Sequence, residues 1–358
     1  MNLSCFFPTN KMNLVWSVKS IGYEWRKNEI VLSQNYLAIE DQNCLTIFDI
    51  KKGEKLCWYT YKNYISTICI SPNEKYIVCA TGSNQICVHK IEEFRQHVSI
   101  NEILNGHTDI ITVLCFSPNS RYLISGSDDC TIKVWSLESW TCLKTLVGHQ
   151  NRILCLCFSR NGEMFASSEN ENHLEKKDDG ECAEKGVVKI WSSKTWNCVC
   201  TIKNWIKKME KKSLRFSLDG TQLLIDQPNS KPLFLNIFTR HKQPSNPIPF
   251  SCSISYSSDD RYFICVGDNF VKLVSVVSGE QVFEAHIPCC DASNGRFLLT
   301  KYNLKMELYK FCQTEQDIRT EMEILLIGLH QQKSSVSVFE QSDLREPKLF
   351  SIVKKFLS

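Results

Sequence analysis

The sequence predicts an all-β protein, a seven-bladed β-propeller followed by a short α-helical C-terminal extension, and three observations predict it. Gly106-His107 recurs as Gly148-His149, 42 residues later. Cys69-Ile-Ser-Pro72, Cys115-Phe-Ser-Pro118 and Cys157-Phe-Ser-Arg160 recur at steps of 46 and 42 residues, so two offset markers share one period, the mark of a repeat architecture. Each unit reads as four short runs with period-2 alternation separated by turn residues: Thr112 to Ser117, Tyr122 to Ser127, Thr131 to Ser136 and Thr141 to Leu146. Four antiparallel strands in each such unit make a propeller blade.

Laid over one another, the units align in further columns. Lys75-Tyr76, Arg121-Tyr122 and Arg261-Tyr262 share one; Val134-Trp135-Ser136 and Ile190-Trp191-Ser192 share another, with Ile47-Phe48-Asp49 and Leu273-Val274-Ser275 as worn versions. From Leu14 to Cys312 there are 299 residues, which at 42 per unit makes about seven units. The last unit, near Arg296-Phe-Leu-Leu-Thr300 and Met306-Glu-Leu-Tyr-Lys-Phe311, lacks an outermost strand. Leu14-Val-Trp-Ser-Val-Lys19 precedes the first complete unit with no partner of its own. Placing that strand in the last blade closes the ring and removes an exposed edge. The expected organisation is a propeller over residues 12–312 and a helical tail over 313–358.

Composition narrows the function. The chain has 358 residues, 43% of them hydrophobic and 23% charged, which is an ordinary globular balance able to bury a large core. Its 42 basic and 39 acidic residues leave a net charge of +3, too small a field to favour nucleic acid or anionic lipid. The longest apolar run, Ile324 to Ile327 with Leu329 beyond, is far short of the roughly 18 residues of a membrane span, and Met1 to Pro8 has no basic region of a secretory signal. Nineteen cysteines raise the question of a disulfide scaffold, yet most lie inside apolar strand-like runs such as Ile153-Leu-Cys-Leu-Cys-Phe158. They read as small core hydrophobes in a reduced, cytoplasmic protein. C-x-x-C spacing is absent, and with it the zinc-ribbon and thioredoxin patterns, so neither metal nor cofactor is expected.

On the residues above, the sequence resembles the WD-repeat β-propellers. The resemblance is close from Gly106-His107 through Trp135-Ser136, good over 64–104 and 150–202, weaker over 22–61, 208–240, 252–286 and 287–312, and absent from the last 46 residues. Where family members place Asp after Trp, this chain has Ser136 and Ser192. The resemblance implies a buried chain of hydrogen bonds linking a Trp indole, a Ser hydroxyl, a His ring and an Asp carboxylate, which falls here on Trp135, Ser125, His107 and Asp129. Blade four keeps His149, Ser167 and Trp191, but an insertion displaces the position for Asp. Cys79 and Cys265 stand in the serine column, a weaker donor in place of a hydroxyl. A nucleophilic triad is the competing reading of Ser, His and Asp, and recurrence in register with the fold period argues against it.

The His107 to Trp135 spacing is 28 and the His149 to Trp191 spacing is 42, so blade four carries 14 extra residues, placed in a second-to-third-strand loop over Glu169–Gly186. That segment has seven acidic and three basic residues and no apolar periodicity, so a mobile rim loop is expected, with a partner-binding loop as the alternative. A metal site from His173, Asp178, Asp179 and Cys182 matches no cage spacing. Lys203 to Lys212, with Lys207, Lys208, Lys211 and Lys212, should connect two blades; the resemblance puts it beside the acidic loop, either neutralising it or forming a docking patch. Trp140 and Trp196, each five residues after a blade Trp, read as exposed indoles on the opposite face suited to partner contacts, or as rings folded onto their own hairpins. In the tail, Thr320-Glu-Met-Glu323 has capping-box spacing, and Leu349, Phe350, Val353, Phe356 and Leu357 share a helical face after Pro347. Leu344 to Leu357 resembles the first helix of an F-box.

Together these readings give a non-enzymatic scaffold for protein–protein interaction in a cytosolic assembly, its partners proteins rather than nucleic acid, membrane or small-molecule substrate. The alternative is a substrate-receptor or adaptor subunit of a ubiquitin ligase acting through the C-terminal helix.

Overall fold

A computed structural model describes residues 12–19, 29–95, 99–171, 185–206, 213–227, 232–239, 242–243, 253–256, 261–267, 270–285, 290–293, 297–302 and 305–311. Strand β1 is Met12–Lys19. Blade one is β2 (Ile30–Leu32), β3 (Tyr36–Asp41), β4 (Cys44–Asp49) and β5 (Glu54–Thr60); blade two is β6 (Ile65–Ile70), β7 (Tyr76–Thr81), β8 (Gln85–Lys90) and β9 (Glu102–Leu104). Blade three is β10 (Ile111–Phe116), β11 (Tyr122–Ser127), β12 (Ile132–Ser136) and β13 (Cys142–Leu146). Blade four is β14 (Ile153–Phe158), β15 (Met164–Glu171), β16 (Lys185–Ser192) and β17 (Cys198–Ile206). Blade five is β18 (Leu214–Phe216), β19 (Gln222–Ile225), β20 (Leu233–Asn236) and β21 (Lys242–Gln243); blade six is β22 (Ser253–Tyr256), β23 (Tyr262–Gly267), β24 (Phe270–Ser275) and β25 (Gln281–Ala285). The seventh sheet has β26 (Cys290–Ser293), β27 (Phe297–Tyr302) and β28 (Lys305–Phe311), with β1 beside β28 in the order β1-β28-β27-β26.

Among the described residues, then, the fold is all-β: seven four-stranded sheets, six of them meanders and the seventh completed by the N-terminal strand β1. Contacts divide the chain into a unit over Leu14–Lys310, which carries the sheets, and a second over Met1–Asn13 with Phe311–Ser358. Nearly all of the second, including the expected tail helices, lies outside the described residues. Within the first, the described side chains of blades one to six pack in cores between neighbouring sheets. Ile47, Tyr61, Ile68 and Ile77 form the core between blades one and two, and Val88, Leu114, Leu123 and Trp135 that between two and three. Ile124, Leu156, Phe165 and Trp191 fill the gap between three and four, and Ala166, Ile190, Leu214 and Leu223 that between four and five. Burial at roughly 25 cal/mol per Å² of apolar surface is what holds such sheets face to face.

The strands repeat even in their irregularities. The innermost strands of blades two, three and four each carry a register shift at the second residue, between Ile65 and Thr67, Ile111 and Val113, and Ile153 and Cys155. A bulge re-aims a side chain. Here the bulged Ser66 donates its hydroxyl to the Ile111 carbonyl of the next blade at 2.6 Å, and the bulged Thr112 donates to the Ile153 carbonyl. In blade four the bulged residue is Leu154, which is buried in the apolar core against blade five.

Close approach sets one glycine. A Cβ on Gly126 would lie 2.5 Å from Ile153 Cγ2, on the blade behind it. Gly126→Ala should therefore cost about 1 to 3 kcal/mol through overpacking, read as a lower urea midpoint, and an unchanged midpoint would show that the two blades are not this tightly apposed.

Candidate functional site

The polar constellations sit in blades two, three and four, where the strands bring three columns of the repeat together. In blade three, Trp135 Nε1 donates to Ser125 Oγ at 2.8 Å and Ser125 Oγ lies 2.7 Å from His107 Nε2. His107 Nδ1 lies 2.7 Å from Asp129 Oδ2. A carboxylate only accepts, so Nδ1 carries the proton, Nε2 accepts from the Ser125 hydroxyl, and all three bonds run in one direction. Asp129 is saturated: Oδ2 also accepts from the Thr108 amide at 3.1 Å, and Oδ1 from the Thr131 amide at 2.9 Å and hydroxyl at 2.6 Å. Ser125 is wholly buried with its oxygen engaged on both sides, a geometry that suits cohesion and leaves no approach for a substrate.

Blade four repeats the first two bonds. Trp191 Nε1 donates to Ser167 Oγ at 2.8 Å, and Ser167 Oγ lies 2.6 Å from His149 Nε2. Its carboxylate is one that sequence reasoning missed. Glu169, two residues after Ser167 on β15, places Oε1 3.1 Å from His149 Nδ1, a close ionic contact poorly aligned as a hydrogen bond. Its Oε2 accepts the amides of Gln150 and Asn151 at 2.7 and 2.6 Å. Asp129 acts from four residues after its serine, in the turn; the longer glutamate acts from within the strand. The extent expected for the insertion is corrected accordingly: Glu169 to Glu171 and Lys185 to Gly186 are paired strand, with Glu169 opposite Val187 and Glu171 opposite Lys185. Residues 172–184, with His173, Asp178, Asp179 and Cys182, lie outside the described residues. The blade-four carboxylate thus comes from within β15 and not from the connection that follows it.

Blade two builds the same relay from different residues. Tyr61 stands four residues before Ile65, as His107 stands four before Ile111; Cys79 occupies the serine column and His89 the tryptophan column. His89 Nδ1 lies 2.6 Å from the Ser99 carbonyl, which only accepts, so Nε2 is the acceptor and the Tyr61 hydroxyl donates to it. Burial raises the thiol pKa of Cys79. The spacing of Tyr61 was the signal available in the sequence. Blades one, five and six put Phe48, Leu235 and Val274 in the tryptophan column and close on apolar contact.

Trp140 and Trp196 correct a second expectation. Both are half-buried and neither is an exposed indole. The Trp140 ring meets Tyr76 of the preceding blade edge-on at 5.0 Å, and Trp196 meets Tyr122 of its preceding blade at 5.3 Å. Both have φ in the left-handed region, 55° and 59°, where Gly53 and Gly279 stand in blades one and six at 67° and 70°. The turn needs that conformation, and the indole accepts its strain to reach the neighbouring tyrosine. Lys203 to Ile206 also differ from expectation, since β17 continues through them; Lys207, Lys208, Lys211 and Lys212 lie outside the described residues. All described cysteines are free thiols, Cys57 and Cys87 pushed up to about 12 and about 11 by burial. Among the described residues no cluster of three or more His, Cys, Asp or Glu could hold a metal ion, and no helix is long and apolar enough to cross a membrane.

Burial holds the His107 and His89 pKa values below the ordinary histidine value, outweighing Asp129 and the Ser99 carbonyl respectively. Burial raises the Asp129 carboxyl, but hydrogen bonds from Thr131, His107 and Thr108 outweigh it and keep it low. Below about pH 6.5 the unfolded chain binds more protons at these histidines than the folded one. Their contribution is thus full above that pH and lost on acidification, followed by the carboxylates in their own lower range. Melting temperature should fall between about pH 7 and about pH 5, and a flat profile there would contradict neutral buried histidines.

Two substitutions test the relay and the turn. Asp129→Ala should destabilise by about 2 to 4 kcal/mol, leaving His107, Thr108 and Thr131 donors unpaired, and an unchanged melting temperature would refute the network's role. Trp140→Gly should cost about 1 kcal/mol less than Trp140→Ala, since both lose Tyr76 and only alanine retains the strain. Equal unfolding midpoints for those two would remove the argument.

Comparison with known proteins agrees with this architecture. The family model described as "WD domain, G-beta repeat" matches residues 98–136 and 140–192, which are the blades carrying Trp135 and Trp191. The "Nuclear distribution protein PAC1" of Komagataella phaffii is 31% identical over 213 residues, 54% of this chain and 39% of that protein. The "U3 snoRNP-associated protein-like EMB2271" of Arabidopsis thaliana is 24% identical over 311 residues, 80% of this chain and 58% of that protein. The "Probable E3 ubiquitin ligase complex SCF subunit sconB" of Aspergillus clavatus is 43% identical over 51 residues, 14% of this chain and 7% of that protein. The chain thus spans less than two thirds of the length of these curated relatives.

Proposed function

We propose that this chain, which belongs to the WD-repeat family, is a non-enzymatic platform on which other proteins assemble in the cytoplasm. WD repeats imply a protein-interaction scaffold, and one observation carries the reading here: the groups that resemble catalytic residues are consumed inside the blades. Ser125 and Ser167 are wholly buried, and each is held between an indole and an imidazole. What such blades supply is rigidity, with turns free to vary. The platform is the propeller over 12–312, with Lys207, Lys208, Lys211 and Lys212 as candidate contacts for an acidic partner, and 313–358 is a helical tail.

A second reading rests on the F-box-like run Leu344 to Leu357 and on the similarity to the fungal SCF subunit: the tail recruits a ubiquitin-ligase adaptor. Affinity purification of the intact chain beside one ending at Cys312 separates the two. The platform reading expects the same specific proteins on both; the adaptor reading expects the shorter chain to melt as before and to lose ubiquitin-ligase components. Absence of any specific protein from both would sink the platform.

A further inference from the structure

Strands β7 and β8 of blade two are joined by the turn Gly82 to Asn84 and pair without a register shift, with Cys79 directly opposite Cys87. At the same two positions, blades three, four and six set Ser125, Ser167 and Cys265 against Lys133, Lys189 and Lys272. Packing therefore does not call for a second thiol there. Just beyond the paired strands, Ile91 N donates to Lys75 O at 2.9 Å. Counting inward by twos from that pair makes Cys79 and Cys87 a hydrogen-bonded pair, whose Cα atoms stand about 5.5 Å apart in an antiparallel ladder. A disulfide forms at Cα separations of roughly 4.4 to 6.8 Å, so this pair is within reach of one. Directly opposed side chains share a face, and both thiols belong, with Tyr61, to the buried cluster between blades one and two. Both are free.

We propose that Cys79 and Cys87 are a redox pair, held as thiols at rest and closed to a cross-strand disulfide by hydrogen peroxide. One sulfur, as its thiolate, attacks the peroxide O–O bond and becomes a sulfenic acid, while the hydroxide released takes up the thiol proton as water. The second thiol then displaces the sulfenic oxygen, and its proton leaves with that oxygen as a second water. The two sulfurs give up two electrons, and peroxide accepts them. Burial raises both thiol pKa values, which keeps the pair protonated and slow to react while the blade is closed. Cys87 lies next to the blade edge: its neighbour on the other side is Ile103 of β9, a strand of three residues whose Ile103 side chain is 49% exposed. Opening of so short an edge strand is the route for peroxide. A hydrogen-bonded pair holds its Cβ atoms at the far limit of disulfide reach, so the bond is strained and readily reversed by a small thiol. Closing it removes the Cys79 S–H from the serine column of blade two, and reduction restores it. The site is independent of the platform reading.

Peptide mass spectrometry tests this directly, because tryptic cleavage after Lys75 and Lys90 leaves both thiols in one peptide, Tyr76 to Lys90. The full chain is treated with hydrogen peroxide until the exposed Cys142 and Cys198 no longer take up iodoacetamide, then alkylated in denaturant and digested. The expected peptide is two hydrogens lighter than the reduced one and carries no alkyl group, and dithiothreitol added before alkylation restores both labels. In Cys87→Lys, which carries the residue of blades three, four and six at this place, Cys79 should stay open to alkylation. Both thiols alkylated in the parent at that dose, a sulfinic acid at either without the bond, or either joined to another cysteine would overturn the proposal.

Discussion

Everything in this structure follows from one constraint: sheets packed face to face leave no water to satisfy a polar group placed between them. An unpaired donor or acceptor there costs about 1 to 3 kcal/mol. The chain meets the constraint with a relay that starts from an indole or hydroxyl donor and ends on a group that can only accept. In blade three the terminus is Asp129, in blade four Glu169, and in blade two the Ser99 carbonyl. In blades two and three the terminus fixes the histidine tautomer, and the tautomer fixes the direction of every bond before it. The polar residues are thereby a packing device, and the blade columns that carry them can equally be filled with Phe48, Leu235 or Val274.

The same logic explains where the repeat tolerates change. A turn that supplies the relay's acceptor, as the Asp129 turn does, is tied to its length. Where the acceptor stands within the strand, as Glu169 does, the connection after β15 does not supply it. At the opposite end, the left-handed turn before the outermost strand takes glycine in blades one and six and tryptophan in blades three and four. Tryptophan there bridges to the tyrosine of the blade before it, adding to the bonds that Ser66 and Thr112 make across the same boundaries.

Much of the fold was legible because the repeat period shows in residue type. Glycine-histidine pairs, Ser-Pro turns and Val-Trp-Ser strand ends are set by backbone geometry common to every blade, so they recur in register. The blade-three tetrad was legible for the same reason, and its residues stand within hydrogen-bonding distance. Blade four hid its carboxylate because glutamate reaches from a different position than aspartate, so spacing alone pointed into the insertion. Blade two hid its relay because Tyr61, Cys79 and His89 exchange roles among columns, which preserves donors and acceptors but not residue names. Trp140 and Trp196 were misread because a sequence shows a large apolar residue in a turn without showing that the neighbouring blade supplies a tyrosine to cover it.

If the relay acts as one hydrogen-bonded unit, its members should not contribute independently. A double-mutant cycle on Asp129→Ala and Ser125→Ala, read by equilibrium urea unfolding, measures this directly. The account predicts that the double variant is less destabilised than the two single effects added together, by about 1 kcal/mol or more, because either change alone already breaks the chain of bonds. Additivity of the two effects would contradict it.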